Sequence, residues 1–312
     1  MSLSTFSRRI NIRLPAGDMP PLDLIRLRPL MERTSGRPEV RIGLIDGPVA
    51  TGHPDLINQR LLPLHAPHAA TCDKTDSLAC LHGTFVAGIL CARRGAQAPA
   101  LCPGCTLLIH PVFAEAASGR EQLPSATPLQ LAVAIDACVG AGARIINLSL
   151  GLATHSGTGD QALREALDHA LRRGAIVVAA AGNQGALGGS TITSHPWVIS
   201  VVACDQRGQP TRESNLGSSI GRRGLMAPGD RITSLGPDGD SLVLSGTSVA
   251  VGFVSGAIAL LWSEFPSATA AQIKLAVTPA GVGPMRASVV PPLLDVLAAQ
   301  RRLRDWSTSL QP

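Results

Sequence analysis

Aromatic side chains are scarce in this sequence, and tyrosine is absent. The 312 residues include five phenylalanines and three tryptophans, so that aromatic residues make up 3% of the chain. Proteins that bind single-stranded nucleic acid stack the bases on aromatic side chains within a basic groove. Lysine occurs only at Lys74 and Lys274, and the other basic residues are arginines in scattered pairs. We therefore expect the net charge of +5 to lie on a solvated surface, with no nucleic acid as a partner.

A secretion signal and a membrane span are also missing from the pattern. Met1–Leu30 contains no uninterrupted apolar segment before a small-residue cleavage site. The longest apolar run, Val249–Trp262, is shorter than the roughly 18 residues that a membrane helix needs. We therefore expect a soluble, cytoplasmic protein with no membrane as a partner. The sequence does not indicate an oligomeric state.

The seven cysteines are an odd number, which is more typical of a reducing compartment than of a disulfide scaffold. A zinc site could be drawn from Cys72 and Cys80 with two upstream histidines, or from the motif Cys102-Pro103-Gly104-Cys105. These spacings match no standard zinc finger. A disulfide between Cys72 and Cys80, or between Cys102 and Cys105, is an equal alternative. We expect neither a metal nor a cofactor.

Strand and helix patterns alternate along most of the chain. Charged residues are few, at 16%, and apolar residues reach 45%, which is enough for a large core. Continuous apolar strands between helices predict an α/β fold with a largely parallel central β-sheet and helices on both faces. No linker composition interrupts this alternation. We predict an N-terminal arm at 1–38, one domain at 39–305 and a C-terminal tail at 306–312.

Four polar residues lie where such a fold places its chemistry. Asp46 ends a strand, and Asn183 follows another strand. His82 begins a small-residue helix, and Ser248 begins a buried helix after a Gly-Thr turn. Parallel α/β sheets bind their ligands beyond the carboxyl ends of the strands, so these side chains are expected to converge there. Taken singly, each has a structural explanation as a turn former or a helix cap.

Together the four residues make a set that can cleave a peptide bond. Ser248 would be the nucleophile, and His82 would take its proton and return it to the leaving amine. Asp46 would orient the imidazole and stabilise its protonated form. The Asn183 amide and the Ser248 backbone N–H would form the oxyanion hole. The chain order Asp, His, Ser is the order found in subtilisin.

The segments around these residues resemble the four signature blocks of the subtilisin-like serine peptidases, the subtilases. The resemblance runs from about residue 40 to residue 280, and the combination of four blocks in order is highly specific. It implies a subtilisin-like fold and a serine endopeptidase that works through an acyl-enzyme. The blocks are Ile45-Asp46-Gly47, His82-Gly83-Thr84-Phe85-Val86-Ala87-Gly88, Ala181-Gly182-Asn183 and Ser245-Gly246-Thr247-Ser248-Val249-Ala250.

The resemblance also implies substrate-binding residues. Ser149, Leu150 and Gly151 resemble the segment that pairs with an extended substrate backbone. Ala180 and Gly182 resemble one wall of the pocket for the residue before the scissile bond. Within the family, the chain looks most like the leader-cleaving subtilases of cyanobactin-type peptide maturation, which implies a ribosomally made precursor peptide as substrate.

The sequence departs from the family pattern at two places. Gly252 stands where the family commonly has a proline, which is expected to loosen the first turn of the serine helix. Asp55 resembles a calcium ligand, but the loop that completes that site is absent, so calcium is not expected. Three alternatives stay open: a general intracellular degradative protease, a peptide-binding pseudoprotease, and acyl transfer to an amine instead of water.

Overall fold

Apolar strands rich in isoleucine, leucine and valine form the centre of the molecule. The computed structural model describes residues 18–64, 72–113, 126–150, 159–278 and 288–309. The strands are β1 (Arg41–Asp46), β2 (Leu61–Pro63), β3 (Thr106–Pro111), β4 (Ile145–Leu148), β5 (Ile176–Ala180), β6 (Ile199–Cys204), β7 (Leu225–Pro228), β8 (Ile232–Leu235) and β9 (Ser241–Leu244). The helices are α1 (Pro21–Leu24), α2 (Arg28–Arg33), α3 (Leu78–Cys91), α4 (Pro128–Gly140), α5 (Asp160–Arg172), α6 (Thr191–Ser194), α7 (Ser218–Arg223), α8 (Thr247–Glu264), α9 (Ala270–Val277) and α10 (Val296–Ser309).

Seven of the strands form one parallel sheet in the order β2-β3-β1-β4-β5-β6-β7. Strand β1 lies between β3 and β4, in register from Ile42, which is opposite Leu107 on one side and Ile145 on the other. All seven strands therefore end at the same edge of the sheet. This arrangement confirms the predicted parallel α/β fold.

Helices cover both faces of the sheet, as the continuous apolar strands require. In β5, Ile176 and Val178 face a core shared with α3 and α8, whereas Val177 and Ala179 face a core shared with α4 and α5. The alternation follows from the two-residue period of a strand. With few aromatic residues available, both cores consist mainly of aliphatic side chains and alanine.

Helix α8 is the central helix of one core. It packs against β4, β5, β6 and β7, and every residue from Thr247 to Ser263 is buried. Its length and composition would allow it to cross a membrane, but 89% of it is buried inside the fold, as in the core helix of a soluble protein. A Cβ at Gly252 would lie 3.0 Å from Ile89 of α3. The glycine that replaces the family's proline thus allows close helix packing, and α8 is helical from Thr247 onward. The expected loosening of its first turn stays a prediction.

One local prediction was wrong. Helix α3 begins at Leu78, not at His82, because Ser77 caps it by accepting a hydrogen bond from the Cys80 N–H at 3.1 Å. His82 therefore lies in the second turn of the helix. The segment 205–245 contains the edge strand β7 and the antiparallel hairpin of β8 and β9.

The described part of the predicted arm, residues 18–38, packs on the domain. Ile25, Leu27 and Leu30 are buried in the core that contains α8. The Val296 N–H donates to the Ile25 carbonyl at 3.1 Å, so that the arm also contacts the start of α10. The boundary at residue 38 and the tail at 306–312 stay predictions.

The cysteines divide into one disulfide and a buried group of free thiols. Cys72 and Cys80 are joined, whereas Cys91, Cys102, Cys105, Cys138 and Cys204 are free and buried. Burial raises the pKa of Cys138 to about 12, so that its thiol stays protonated. Among the residues that the structure describes, no group of three or more His, Cys, Asp or Glu side chains is arranged to hold a metal ion. Of the two disulfides that the sequence left open, the structure contains Cys72–Cys80, and Cys102 and Cys105 are free.

Candidate active site

Asp46 is the last residue of β1 and lies at the carboxyl edge of the sheet, completely buried. Its Oδ1 accepts a hydrogen bond from the Gly47 N–H at 2.6 Å. Within the described ranges, its other oxygen, Oδ2, is buried without a hydrogen-bond partner. The carboxylate is thus held by few contacts, which leaves its charge available to a neighbouring cation.

His82 reaches the same edge from α3 and joins two residues that are distant in sequence. Its Nδ1 lies 2.6 Å from Asp46 Oδ1, and its Nε2 lies 2.9 Å from Ser248 Oγ. Since an ionised carboxylate can only accept, Nδ1 carries the proton and Nε2 is left as the acceptor for the serine hydroxyl. Asp46, His82 and Ser248 are 0%, 7% and 9% exposed, so that water is largely excluded from their hydrogen bonds.

Two glycines allow the aspartate loop and the histidine helix to approach each other. A Cβ at Gly47 would overlap the Ala79 carbonyl of α3. A Cβ at Gly83 would lie 2.5 Å from the Gly47 carbonyl oxygen and closer still to that of Pro48. Because Gly83 follows His82 directly, this backbone contact sets the distance between the imidazole and the carboxylate.

The environment of His82 raises its pKa above the ordinary value of 6.5. Burial alone would lower the pKa of His82, because it penalises the charged imidazolium. The negative charge of Asp46 and the hydrogen bond to it favour the imidazolium and outweigh burial. The imidazole is therefore a stronger base than an exposed histidine, as a group that takes a proton from serine must be.

Ser248 is the second residue of α8, after the N-terminal residue Thr247. Gly246, which precedes the helix, has φ +147°, a conformation that favours glycine. The N–H groups of the first helical turn have no partner within the helix and form its positive end. The Ser248 N–H thus lies in this first turn, at the positive end of the helix.

Asn183 lies beside this helix start and is held there by Thr247. Its Oδ1 accepts from the Thr247 N–H at 2.9 Å and from Thr247 Oγ1 at 3.0 Å. Because the oxygen is occupied, the Nδ2 amide is presented as a donor next to Gly246. Thr247 Oγ1 also accepts from the Gly182 N–H at 3.2 Å. Thr247 is a site residue that sequence reasoning missed, although its place beside Ser248 was a signal.

The predicted substrate-binding residues surround the same edge. Ser149 and Leu150 follow β4 and are buried, and Asn147 donates to Ser149 Oγ at 2.5 Å. Ala180 ends β5, and Gly182 follows it with φ +104°. Gly151 lies outside the described residues. The described members therefore lie at or just beyond the carboxyl ends of β4 and β5, at the edge of the sheet where β1 ends with Asp46.

Asp55, the residue that resembles a calcium ligand, is paired with an arginine. Its carboxylate forms an ion pair with Arg93, at 2.7 Å between Oδ1 and Nη2. The same carboxylate oxygen accepts from Arg93 Nε at 2.9 Å. One oxygen of the Asp55 carboxylate is thus paired with a guanidinium, and the absence of calcium stays a prediction.

The fold and this site define a serine peptidase of the α/β type with an Asp, His, Ser arrangement, and sequence comparison gives the family. The profile of the Subtilase family matches residues 37–283. Subtilisin DY from Bacillus licheniformis is 31% identical over 240 residues, which cover 75% of this chain and 81% of that protein. Thermitase from Thermoactinomyces vulgaris is 31% identical over 232 residues, covering 73% and 77%. The chain belongs to the subtilase family and is a subtilisin-like serine peptidase.

Two solved structures are similar over most of this chain. The prenylagaramide maturation protease PagA superimposes with a TM-score of 0.75 at 30% identity, covering 89% of this chain and 98% of that structure. The patellamide maturation protease PatA superimposes with a TM-score of 0.72 at 31% identity, covering 86% and 98%. The narrower resemblance to proteases of cyanobactin-type maturation therefore extends to the fold.

Proposed function

We propose that this peptidase cleaves the leader from a ribosomally made precursor peptide. The observation that carries the proposal is the likeness to the maturation proteases PagA and PatA, which spans 98% of each of those structures. The described residues also contain the side chains that peptide-bond cleavage needs, within hydrogen-bond distance of one another.

The proposed mechanism begins with the pair of Ser248 and His82. As Ser248 Oγ attacks the scissile carbonyl carbon, its proton passes to His82 Nε2, 2.9 Å away. The Asp46 carboxylate holds the proton on Nδ1 and stabilises the imidazolium that forms. The carbonyl oxygen, now negative, receives hydrogen bonds from the Ser248 N–H and the Asn183 amide.

Collapse of the tetrahedral intermediate breaks the C–N bond. His82 returns its proton to the leaving amine, and the acyl group stays on Ser248 Oγ. A water molecule, activated by His82 in the same way, then releases the leader as a free acid. An amine in place of water would give a new peptide bond from the same acyl-enzyme.

The substrate would bind as an extended strand beside Ser149 and Leu150. The small residues Ala180 and Gly182 would leave room for the side chain before the scissile bond. We propose these roles from the position of the four residues around Ser248.

A panel of synthetic precursor peptides, assayed beside denatured casein, tests the proposal. We expect one peptide to be cut at a single bond between leader and core, at least 100-fold faster per bond than casein on the scale of enzyme specificity. Ser248→Ala is the control and should abolish cleavage. Comparable cutting of casein at many sites would instead indicate a degradative protease. Failure of Ser248 to react with a fluorophosphonate would indicate a pseudoprotease, and product mass would separate hydrolysis from acyl transfer.

We also propose a cytoplasmic location, which the odd number of seven cysteines supports, five of them free and buried. The Cys72–Cys80 disulfide points the other way and provides the test. Structural disulfides are rare in the reducing cytosol. Trapping of free thiols in freshly broken producer cells should find both cysteines reduced and the peptidase in the soluble fraction. Recovery of the oxidised protein from the periplasm or the medium would contradict this location.

A further inference from the structure

The segment 181–186 carries the oxyanion donor Asn183, and one side chain outside it contacts this segment repeatedly. We propose that Asn215, between β6 and α7, is a positioning residue that holds Asn183 in place for the transition state. The inference rests on the role of Asn183 in the proposed mechanism and is independent of the identity of the substrate.

Asn215 uses both ends of its amide and its backbone to hold the segment. Its Oδ1 accepts from the Gln184 N–H at 3.1 Å and from the Ala186 N–H at 2.9 Å. Its Nδ2 donates to the Ala181 carbonyl at 3.1 Å and to Gln184 Oε1 at 2.6 Å. Its backbone N–H donates to the Gly182 carbonyl at 2.9 Å. These five bonds reach residues on both sides of Asn183.

The geometry requires an amide at this position. A carboxylate has no hydrogen-bond donor, and a hydroxyl side chain is too short to bond to both sides of the segment. An aliphatic side chain has neither a donor nor an acceptor. Gly182 makes room for the contact, because a Cβ there would overlap Asn215 Nδ2 and lie 2.7 Å from Gln184 Oε1. The amide of Asn215 can therefore occupy this position only because residue 182 is a glycine.

Asn215 is connected to the sheet through the neighbouring residue Ser214. Ser214 is buried, its Oγ accepts from the Ala203 N–H of β6 at 3.2 Å, and it lies 2.9 Å from Thr211 Oγ1. Asn215 thus connects a fixed strand, β6, to the segment that follows the neighbouring strand β5. Asn183 itself is exposed, and among the residues that the structure describes its side chain is hydrogen-bonded to Thr247. Asn215 therefore supplies five of the hydrogen bonds that hold the segment 181–186. The Gly185 N–H also donates to the Glu213 carbonyl at 2.7 Å, and the Ala186 carbonyl accepts from the Leu216 N–H at 2.9 Å.

A donor that is misplaced by about 1 Å loses much of its effect on the transition state. The ground state gains little from the same donor, because the charge on the oxygen has not yet formed. Loss of Asn215 should therefore lower kcat and leave KM nearly unchanged. A purely structural residue would lower the thermal stability without this separation of kcat from KM.

The test is a double-mutant cycle with a chromogenic peptide anilide and, independently, the rate of fluorophosphonate labelling of Ser248. We expect Asn183→Ala to lower kcat about 10²-fold to 10³-fold, the loss measured for such a donor in a subtilisin. Asn215→Ala should lower kcat about 10-fold to 100-fold with KM within threefold. In the Asn183→Ala background the same change should cost less than threefold, because the donor is already gone.

The control is Asn58→Ala at an exposed asparagine, which should behave as wild type. Asn215→Asp keeps the acceptor for the Gln184 and Ala186 N–H groups and serves if the alanine variant does not fold; it should fall between wild type and Asn215→Ala. An unchanged kcat in the folded variant would overturn the proposal. Equal losses in the presence and absence of Asn183 would also overturn it. Neither result would depend on whether a precursor peptide is the substrate.

Discussion

Replacement of Gly83 by alanine should separate the histidine from the aspartate without touching either side chain. The added methyl group would lie 2.5 Å from the Gly47 carbonyl oxygen, whereas ordinary contact begins near 3.4 Å. Helix α3 or the aspartate loop must therefore move by about 1 Å. Applied along the hydrogen bond, this shift would stretch the distance from His82 Nδ1 to Asp46 Oδ1 from 2.6 Å to beyond hydrogen-bond range.

We expect kcat/KM of Gly83→Ala to fall about 10²-fold, the cost of a 1 Å misplacement in an active site. The strain of the extra methyl group should lower the free energy of unfolding by about 1–3 kcal/mol. Initial rates with a peptide anilide and urea unfolding measure the two effects. The control is Gly52→Ala, where an added Cβ meets no atom within 4 Å, and both quantities should stay close to wild type. Wild-type kcat/KM in folded Gly83→Ala would refute the idea that this contact sets the geometry of the site.

Three further predictions concern pH, the disulfide and the core. The kcat/KM should rise with pH through an apparent pKa above 6.5, because His82 must be neutral to act as a base. The raised pKa of His82 also affects the stability of the fold. The stabilisation that comes from the charged imidazole is complete below pH 6.5 and is lost as the pH rises through the pKa of the folded state. An apparent pKa below 6.5 would contradict this. Changing Cys72 and Cys80 to serine should lower the free energy of unfolding by about 2–3 kcal/mol, because the disulfide closes a loop with a sequence separation of 8 and so reduces the entropy of the unfolded chain. Unchanged unfolding in urea would contradict this prediction. Gly256→Ala should cost about 1–3 kcal/mol, because its Cβ would lie 2.5 Å from Leu101 Cδ1, and thermal unfolding measures it.

The sequence by itself determined the architecture and the candidate site. Continuous apolar strands alternate with helices, and this local pattern is sufficient to predict a parallel sheet with two covered faces. Asp46 and Asn183 follow two of these strands, so that a common edge brings them together in any fold of this class. Local signals were less reliable at element ends: one cap, Ser77, moved the start of α3 by a full turn.

Only the tertiary structure decided how the site is held together. The roles of Thr247 and Asn215 depend on hydrogen bonds to residues more than 25 positions away in the sequence, and no local sequence pattern predicts such bonds. The contacts of Gly47 and Gly83 depend on how closely a loop and a helix approach, which is set by the packing of the whole core. Asp46 and Ser248 could be predicted because they lie at the ends of regular elements, and His82 because its segment is one of the four signature blocks. The residues that position them could not be, since their role exists only when distant segments meet.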